Sequence, residues 1–464
     1  MAEAMRVYLA SWGNPLEWGN AKYRHGPVGN AYYSYTTLPF MVKEYGVDKA
    51  IIIALDSVIT ARSRAPNKEA LDCAKQAGLT ISNNSIRPGE VRNYNEWVER
   101  ASKYIECVAA RSVGNDLAGR LSVVIAPYVG LREGVAYGVG GVRPDVYLTH
   151  ALAGALNVLS ESLGNIEEII IDITHGINYT PYLTIELGKM LASLTLALNG
   201  SRPNYAVGIH IFNAVEVGLE GEVRVYDVHN IGELRMDRYY LDPIITAIHT
   251  KSLNQDELAT IGSLMTNAPI ALTQSCKDLL RQEAGTLLPK ELSHSELLRT
   301  VSVERSGSGY VIRHARYVRP DVAYAKAFTR ALCTSLMNQP SAKNLLQSYV
   351  SAVELKEAVA PYFEKVSKAS EIIVRNALDT LRELLEEKAP VQLQAAPTSI
   401  TCDRDVLRNI MAHAGFYIER ARGISWVDIK IEGNDVKVGH YRNWDSIKKF
   451  ITNCLTKQLT PKTQ

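Results

Sequence analysis

The sequence lacks the signatures of several large protein classes. It contains neither a G-x-x-x-x-G-K-[S/T] loop nor a G-x-G-x-x-G turn after the first predicted strand, and no apolar run approaches the roughly 18–20 residues of a membrane span. P-loop nucleotidases, dinucleotide-dependent oxidoreductases and membrane-spanning proteins are therefore disfavoured. With a formal net charge of +2, the chain also lacks a global attraction for polyanions, so any nucleic-acid site must be local.

The cysteines are few and scattered. No Cys-x2-Cys pair occurs, which disfavours zinc ligation, and we expect reduced thiols without a disulfide framework. The six positions are Cys73, Cys107, Cys276, Cys333, Cys402 and Cys454. No signal peptide is recognisable before the first predicted strand, so we expect a cytoplasmic protein. We expect neither a bound metal nor an organic cofactor.

Apolar runs alternate with helical patterns through the N-terminal half. This rhythm predicts an α/β domain over 1–230, a helical, winged-helix-like linker over 231–320 and a helical domain over 321–464. Several runs are continuously apolar, as in strands buried on both faces of a parallel sheet, which predicts a Rossmann-like, doubly wound fold. The predicted strands are 6–10, 50–55, 121–126, 167–173, 206–212 and 223–228, and the predicted helices are 37–45, 95–110, 150–162 and 182–198.

Polar side chains follow the predicted strands at the end of the sheet where ligands of such folds bind. Thr174-His175-Gly176-Ile177-Asn178-Tyr179 follows the fourth strand, and its hydroxyl, amide and backbone N–H groups suit a phosphate or ribose. A structural turn, with Gly176 at positive φ and His175 capping a backbone group, is the competing interpretation. The candidate ligand contacts are Ser11, Gly13, Asn14, Asp56, Ser57, Thr174, His175, Gly176 and Asn178.

The middle of the chain has short helical patterns followed by two extended runs. The runs 301–305 and 310–315 flank Ser306-Gly307-Ser308-Gly309, which predicts a wing after the helices. Such a module binds DNA or serves as a spacer between domains, and we favour the spacer. The further predicted elements are helices at 237–249, 254–263, 271–284, 294–300, 322–337, 342–359 and 362–388, and a hairpin at 427–431 and 436–440.

A C-terminal helix is predicted around residues 407–415, with Asp403 or Thr401 as its N-cap. Arg408, Asn409 and His413 fall on the face turned away from the core, together with Phe416, a ring that a merely solvated face rarely carries. The stripe facing the core has helical spacing and consists of Leu407, Ile410, Met411, Ala414 and Ile418.

Such a face suits metal-free RNA cleavage. The 2′-hydroxyl of RNA is the nucleophile, imidazole supplies general acid and base near pH 7, and a guanidinium binds phosphate oxygens. His413 would act in acid/base catalysis, Arg408 would stabilise the charge on the phosphate, and Asn409 would orient the imidazole. Two facing copies of the helix would supply two histidines, which favours a homodimer. The alternative is that Arg408 and His413 are ordinary surface residues.

Two motifs in this order resemble a known family. Arg408-Asn409-x-x-Ala412-His413 resembles the R-x4–6-H motif of HEPN ribonucleases, and the segment 172–179 (Asp-Ile-Thr-His-Gly-Ile-Asn-Tyr) resembles the ligand-loop motif of CARF domains. The order CARF and then HEPN resembles the accessory ribonucleases of type III CRISPR systems (the Csx-type family). A hairpin within the helical domain departs from the minimal HEPN pattern.

The resemblance implies an activator, a substrate and an assembly. Cyclic oligoadenylate, in the form of cyclic tetra-adenylate, would bind a pocket shared by a homodimer, and single-stranded RNA would be cut without metal. The resemblance does not decide whether dimers assemble into a higher homo-oligomer. It also does not decide whether the sensor domain slowly degrades the activator. The competing function is a nucleotide-sensing transcription regulator that binds DNA, although DNA is the less favoured partner.

Overall fold

The chain folds into two compact units, each assembled from three separate segments. The computed structural model describes residues 4–117, 119–282, 286–307, 309–345, 347–381, 383, 392–393, 402, 404–416, 418–419, 424–433 and 435–459. Unit 1 consists of Met1–Ala192, Val207–Met236 and Lys290–Ala323, and unit 2 of Ser193–Ala206, Asp237–Pro289 and Tyr324–Gln464. The predicted linker over 231–320 is thus divided between the two units.

Unit 1 contains most of the strands. They are β1 Met5–Trp12, β2 Ala21–Arg24, β3 Tyr32–Ser34, β4 Lys49–Leu55, β5 Ala61–Arg62, β6 Thr80–Ser82, β7 Ser85–Arg87, β8 Leu121–Ala126, β9 Gly130–Arg132, β10 Val135–Val139, β11 Ile166–Asp172, β12 Val207–Glu220, β13 Val223–Met236, β14 Val301–Ser306 and β15 Gly309–His314. The helices are α1 Leu38–Tyr45, α2 Lys68–Gln76, α3 Tyr94–Val113, α4 Val146–Leu159 and α9 His294–Arg299, and α5 Thr180–Leu198 runs from unit 1 into unit 2.

Five parallel strands form one side of an eight-stranded sheet with the order β3-β2-β13-β12-β11-β1-β4-β8, in which β8 is the edge strand. β1 pairs in parallel with β4 and β11, β4 pairs with β8, and β11 pairs with β12. Numbered along the chain, the five strands have the order 3-2-1-4-5, and the direction of winding reverses between β1 and β11. The predicted mixed α/β architecture, with a parallel-rich N-terminal sheet and a helical C-terminal region, is confirmed.

Continuous apolar sequence produces these central strands. Ala50 to Leu55 of β4 are all buried, because helices cover both faces of a doubly wound sheet. Gly154 of α4 lies so close to β8 that a Cβ there would be 2.4 Å from Val124 Cγ1. Gly188 of α5 packs in the same way against Ile171 of β11. The two glycines therefore let the helices approach the sheet closely.

The predicted wing forms a hairpin, but it belongs to unit 1 and not to a winged-helix-like linker. β14 and β15 pair in antiparallel register, and β15 also pairs in parallel with β10, in a four-stranded sheet of order β14-β15-β10-β9. Without this pairing, β10 would be an edge strand with unpaired backbone groups, and the hairpin of β14 and β15 alone would be only marginally stable. The pairing of β15 with β10 therefore stabilises both. Tyr310 adds a 2.7 Å hydrogen bond from its hydroxyl to the Gly89 carbonyl.

Unit 2 is mainly helical. Its helices are α6 Asp242–Ile248, α7 Gln255–Met265, α8 Pro269–Gln282, α11 Pro340–Leu345, α12 Ala352–Glu364, α13 Lys368–Asp379, α14 Arg404–Ala412 and α15 Trp444–Leu459, and α10 Pro320–Met337 enters it from unit 1. Its strands are β16 Val350–Ser351, β17 Gln392–Leu393, β18 Ile418–Glu419, β19 Ile424–Ser425, β20 Val427–Glu432 and β21 Asp435–Tyr441.

Two of the predicted C-terminal helices are wrong in extent. The helix predicted over 362–388 is broken after Glu364, because Ser367 leaves the helical conformation and its hydroxyl accepts the Ser370 N–H to start α13. The helix predicted over 342–359 is interrupted by β16, which pairs with β21. The predicted hairpin is confirmed as β20 and β21.

All six cysteines are paired, so the expectation of reduced thiols is wrong. The partners are 34, 57 and 52 residues apart, and their Cα atoms lie 5.5, 4.8 and 5.2 Å from each other. The packing of distant segments creates these pairs, which residue spacing alone does not reveal. The disulfides are Cys73–Cys107, Cys276–Cys333 and Cys402–Cys454.

Reduction of the disulfides is expected to destabilise the protein. Cross-links restrict the unfolded chain, and a native disulfide typically contributes about 2–4 kcal/mol. We expect dithiothreitol to lower the thermal unfolding midpoint measured by circular dichroism, and Cys73→Ser/Cys107→Ser to reduce the size of that shift. Alkylation of the unreduced, denatured protein should detect no free thiol, and six alkylated cysteines would contradict the pairing.

Three histidines lie near one another inside unit 1. The rings of His150 in α4 and His314 at the end of β15 meet edge to face, 6.2 Å apart, and the charge of His294 at the start of α9 would act on His150. His150 Nδ1, His294 Nε2 and both ring nitrogens of His314 have no hydrogen-bond partner among the described residues. Burial lowers the pKa of all three, that of His314 to about 4, so the rings are neutral at pH 7. In the described part of the chain no group of three such ligands is arranged to hold a metal ion.

Acidification is expected to destabilise unit 1. An unfolded histidine binds its proton near pH ~6.5, whereas folded His314 takes it up only near pH 4. Between these values the unfolded state binds more protons, so stability is complete above ~pH 6.5 and falls as the pH falls, by on the order of 3 kcal/mol for His314. We expect His314→Phe to show a smaller drop in unfolding midpoint between pH 7.5 and 5, and the exposed control His229→Gln to behave like the wild type. An unchanged pH profile in His314→Phe would contradict this.

Candidate functional site

The candidate site begins where the chain leaves β1 and β11 at the point of reversed winding. The Gly13 N–H donates a 2.7 Å hydrogen bond to the His175 carbonyl, which joins the loops that follow the two strands. A Cβ on Gly13 would lie 2.7 Å from Ile177 Cγ2, and one on Gly176 would lie 2.4 Å from Ser11 Oγ. Both glycines are thus needed for close packing, and Gly176 does not have the positive φ that the structural-turn interpretation expects.

Asp172 holds the loop after β11 in place. Its carboxylate accepts hydrogen bonds from the Tyr8 hydroxyl at 2.8 Å, from the Thr174 N–H at 2.9 Å and from the Thr37 hydroxyl. Tyr8 belongs to β1 and Thr37 directly precedes α1, so one buried carboxylate connects three segments. A buried charge requires such partners, and here they fix the position of the loop backbone.

His175 is a neutral ring within this loop. Burial lowers its pKa to about 4, against the opposing effect of the Asp172 charge. The Thr37 N–H donates to His175 Nε2 at 3.3 Å, which leaves the proton of the neutral ring on Nδ1. The ring also contacts the Trp18 indole, with 4.4 Å between the centroids. His175 can therefore donate one hydrogen bond or stack on a base, but it does not offer a positive charge to a phosphate at pH 7.

A cavity of about 800 Å³ opens beside this loop. This volume lies within the roughly 300–1,000 Å³ of small-molecule sites. Of the predicted contacts, Thr174 and His175 line it. The other lining residues are aromatic, amide and charged, among them Trp18, Tyr23, Tyr35, Tyr226, Asn20, Asn67, Glu17, Lys68, Glu69, Glu222 and Arg224.

Sequence reasoning missed the aromatic wall of this cavity. Tyr23 and Tyr226 stack with 5.4 Å between centroids, because β2 pairs in parallel with β13 although some two hundred residues separate them. That pairing is a product of the tertiary fold and has no local signal. Trp18 did have a local signal, because it lies four residues after the predicted contact Asn14 in the same loop.

Ser11 and Asn14 are buried beside the cavity and do not line it. The Ser11 hydroxyl and the Asn14 Nδ2 have no hydrogen-bond partner among the described residues. Asn14 Oδ1 accepts the Leu16 N–H at 3.1 Å and so caps a short 3-10 turn. Buried polar atoms are nearly always paired, so these two unpaired donors are exceptions within unit 1.

Asp56 and Ser57 lie inside the unit and do not face the cavity. The Asp56 carboxylate accepts the Tyr94 hydroxyl and the Tyr128 N–H, each at 2.9 Å, and the Trp97 indole N–H donates to the Asp56 carbonyl. Burial raises the pKa of Asp56 to about 7. These bonds connect the end of β4 to α3 and to the loop after β8, so the geometry gives Asp56 a structural role.

Asn178 is exposed and lies outside the cavity lining. Its φ of 53° is in the left-handed region, which asparagine tolerates better than most residues. Two residues further on, the Thr180 hydroxyl donates to the Ile177 carbonyl at 2.9 Å and starts α5. The conformation of Asn178 thus serves the turn from the loop into the helix.

The predicted C-terminal helix forms as α14 but ends earlier than expected. The Gly415 N–H donates to the Ile410 carbonyl at 2.8 Å with Ala414 at a φ of 48°, which is a Schellman termination that leaves His413 as the C-cap. Leu407, Ile410 and Ala414 are buried as predicted.

The early end of α14 changes the predicted faces of the helix. Phe416 is only 1 % exposed, so its assignment to the outward face is wrong. Ile418 lies in β18, beyond the helix. His413 is half-buried and Ala412 exposed. The side chains of Arg408 and Asn409 and the predicted N-caps Asp403 and Thr401 lie outside the described residues.

A known protein family matches the part of the chain that contains the parallel strands. Residues 7–216 match the family model described as "CRISPR system endoribonuclease Csx1, CARF domain". No curated protein matches the chain. Where the chain is described, no helix is both long and apolar enough to span a membrane. The matched region contains β4, β8, β11, most of β1 and β12, and the loop that carries Thr174 and His175. It supports a CRISPR protein with an N-terminal CARF domain.

Proposed function

We propose that the protein is a metal-independent endoribonuclease that cyclic oligoadenylate activates in type III CRISPR defence. The cavity beside Thr174 and His175 carries this proposal, because it lies at the carboxyl end of a sheet that matches a CARF domain. Cyclic tetra-adenylate is the activator that we expect. The hairpin 301–315 pairs with β10 in unit 1, so nothing favours its use as a DNA-binding wing.

The lining of the cavity suits the base and ribose of an adenylate better than its phosphate. Lys68 and Arg224 are accompanied by three carboxylates, those of Glu17, Glu69 and Glu222, so the lining has no positive excess. Carboxylates accept hydrogen bonds from an adenine amino group or a ribose hydroxyl, and the Trp18 indole provides an apolar face for a base. The phosphates of a cyclic ligand would then face the backbone amides of the loop that carries Thr174 and His175.

Thr174 is a hydrogen-bond donor in this proposal. Its hydroxyl oxygen accepts the Ala214 N–H at 2.9 Å, which leaves its proton for a ligand acceptor. A homodimer would place two such cavities around a two-fold axis, which suits a symmetric cyclic ligand.

Thr174→Val should weaken the binding of cyclic tetra-adenylate. The substitution keeps the shape of the side chain but removes the hydroxyl, and one hydrogen bond contributes about 0.5–1.5 kcal/mol, or roughly a threefold to tenfold change in Kd. Isothermal titration calorimetry measures the change, with Thr380→Val at the C-cap of α13 as the matched control. A Kd equal to that of the control, with unchanged thermal stability, would remove Thr174 from the site.

Catalysis is assigned to the end of α14. His413 would exchange protons with the 2′-hydroxyl and the leaving 5′-oxygen, Arg408 would bind the phosphate, and Asn409 would orient the imidazole. The products would be a 2′,3′-cyclic phosphate or 3′-phosphate and a 5′-hydroxyl end. In this reaction side chains stabilise the charges of the transition state, so no metal ion is required.

Labelled single-stranded RNA incubated in EDTA, with and without cyclic tetra-adenylate, tests the whole proposal. We expect cleavage only with the ligand, and a loss of at least a hundredfold in His413→Ala, since a general acid or base typically contributes 10²–10⁴-fold. The exposed His249→Ala is the control and should cut like the wild type. Cleavage that stops in EDTA would overturn the metal-free mechanism, and equal cleavage by His413→Ala would overturn the assignment of that residue.

A further inference from the structure

A second, smaller cavity lies in unit 2, close to the end of α14. It has a volume of about 230 Å³ and is lined by Gln274, Lys277, Asp278, Arg281, His440 and Trp444. The four residues from α8 have the spacing i, i+3, i+4 and i+7 and therefore share one face of the helix. The cavity is smaller than the roughly 300–1,000 Å³ of a drug-sized site, so it has room for a single base.

The aromatic wall of this cavity is held rigidly. The Trp444 indole N–H donates a 2.7 Å hydrogen bond to Asp278 Oδ2, and Lys448 Nζ lies 3.1 Å from the same oxygen. The ring of Tyr441 stacks against Trp444 with 6.1 Å between centroids and 21° between planes. The carboxylate of Asp278 is thus occupied in fixing the indole, and a fixed ring loses little entropy when a base stacks on it.

Two cations remain available at the rim. Lys277 makes no ion pair with any described residue, and Arg281 lies 3.9 Å from Asp278 Oδ1, at the limit of an ion pair. The Arg281 side chain is 67 % exposed, so it is free to turn toward a ligand. An aromatic platform beside cationic side chains is the arrangement with which proteins bind single-stranded nucleic acids.

Hydrogen bonds connect this cavity to the proposed catalytic helix. The Tyr441 hydroxyl donates to the Gly415 carbonyl at 2.5 Å, and the Tyr441 N–H donates to Gln274 Oε1 at 3.3 Å. Gly415 belongs to the termination of α14, two residues after His413. A nucleotide in the cavity would therefore lie near the scissile position of a strand bound at His413.

We propose that this cavity binds one nucleotide of the RNA substrate, with its base on Trp444 and its phosphate on Lys277 and Arg281. This inference rests on the proposed ribonuclease function and adds a substrate-binding site outside the Arg408–His413 motif. It assigns Lys277, Arg281 and Trp444 to RNA affinity and gives them no part in proton transfer.

Fluorescence anisotropy with a labelled 12-nucleotide single-stranded RNA tests the proposal in the His413→Ala protein, in which we expect the probe to stay uncut. We expect Lys277→Glu/Arg281→Glu to raise Kd at least tenfold. The loss of two phosphate contacts should also flatten the slope of log K against log salt by about 1.4. The control is Lys449→Glu/Lys457→Glu on the exposed side of α15, which changes the charge equally. Equal Kd values and slopes for the two double variants would overturn the proposal.

Trp444→Leu separates stacking from charge. It should weaken RNA binding while the salt slope stays at the wild-type value, and circular dichroism verifies that the variant is folded. A folded Trp444→Leu protein with wild-type affinity would overturn the role of the indole.

Cleavage assays with protein that retains His413 distinguish the proposed ribonuclease function from the proposed RNA site. Lys277→Ala/Arg281→Ala should raise KM and leave kcat unchanged. If the wild type binds RNA through these residues but does not cut it with cyclic tetra-adenylate, the ribonuclease function fails and the RNA site stands. If the wild type neither binds nor cuts RNA, both proposals fail.

Discussion

The hydrogen bonds of the buried Asp172 carboxylate are the interactions on which the candidate site of unit 1 depends. The carboxylate lies at the end of a central strand and accepts hydrogen bonds from β1, from the residue before α1 and from its own loop. A carboxylate without these donors would be costly to bury, so the three segments must converge for the unit to fold. The convergence also brings His175 against Trp18 and creates one wall of the larger cavity. The contacts that hold these three segments together thus also shape the cavity.

The central sheet was predictable because its signal is local. Strands such as β4 consist almost entirely of apolar residues, and such a continuous run is typical of a strand that is buried on both faces of a sheet. The small sheet of β14, β15, β10 and β9 was not predictable in the same way, since pairing between residues 135 and 310 depends on the whole fold. The disulfides escaped prediction for the same reason. Their partners come from segments distant in the sequence that only tertiary packing brings together.

In the candidate sites, too, local features were predictable and features that depend on the tertiary fold were not. Thr174 and His175 line the larger cavity as predicted, because a polar loop after a buried strand is a local feature. Tyr226 reaches that cavity only through the pairing of β2 with β13, and Phe416 was misplaced because helical spacing was extended past a termination at Ala414. A count of 100° per residue holds only while the helix continues. The glycine after Ala414 was the available sign that it does not.

The interlaced path of the chain limits how this protein can be divided. The chain passes between the two units five times, after residues 192, 206, 236, 289 and 323. A fragment ending at residue 230 would include the matched CARF region but would lack the hairpin of β14 and β15. The edge of β10 would then be left without its partner, as a template for aggregation. Unit 1 is therefore not one continuous piece of chain that recombination could move, and its inheritance is tied to that of the unit 2 segments that interrupt it.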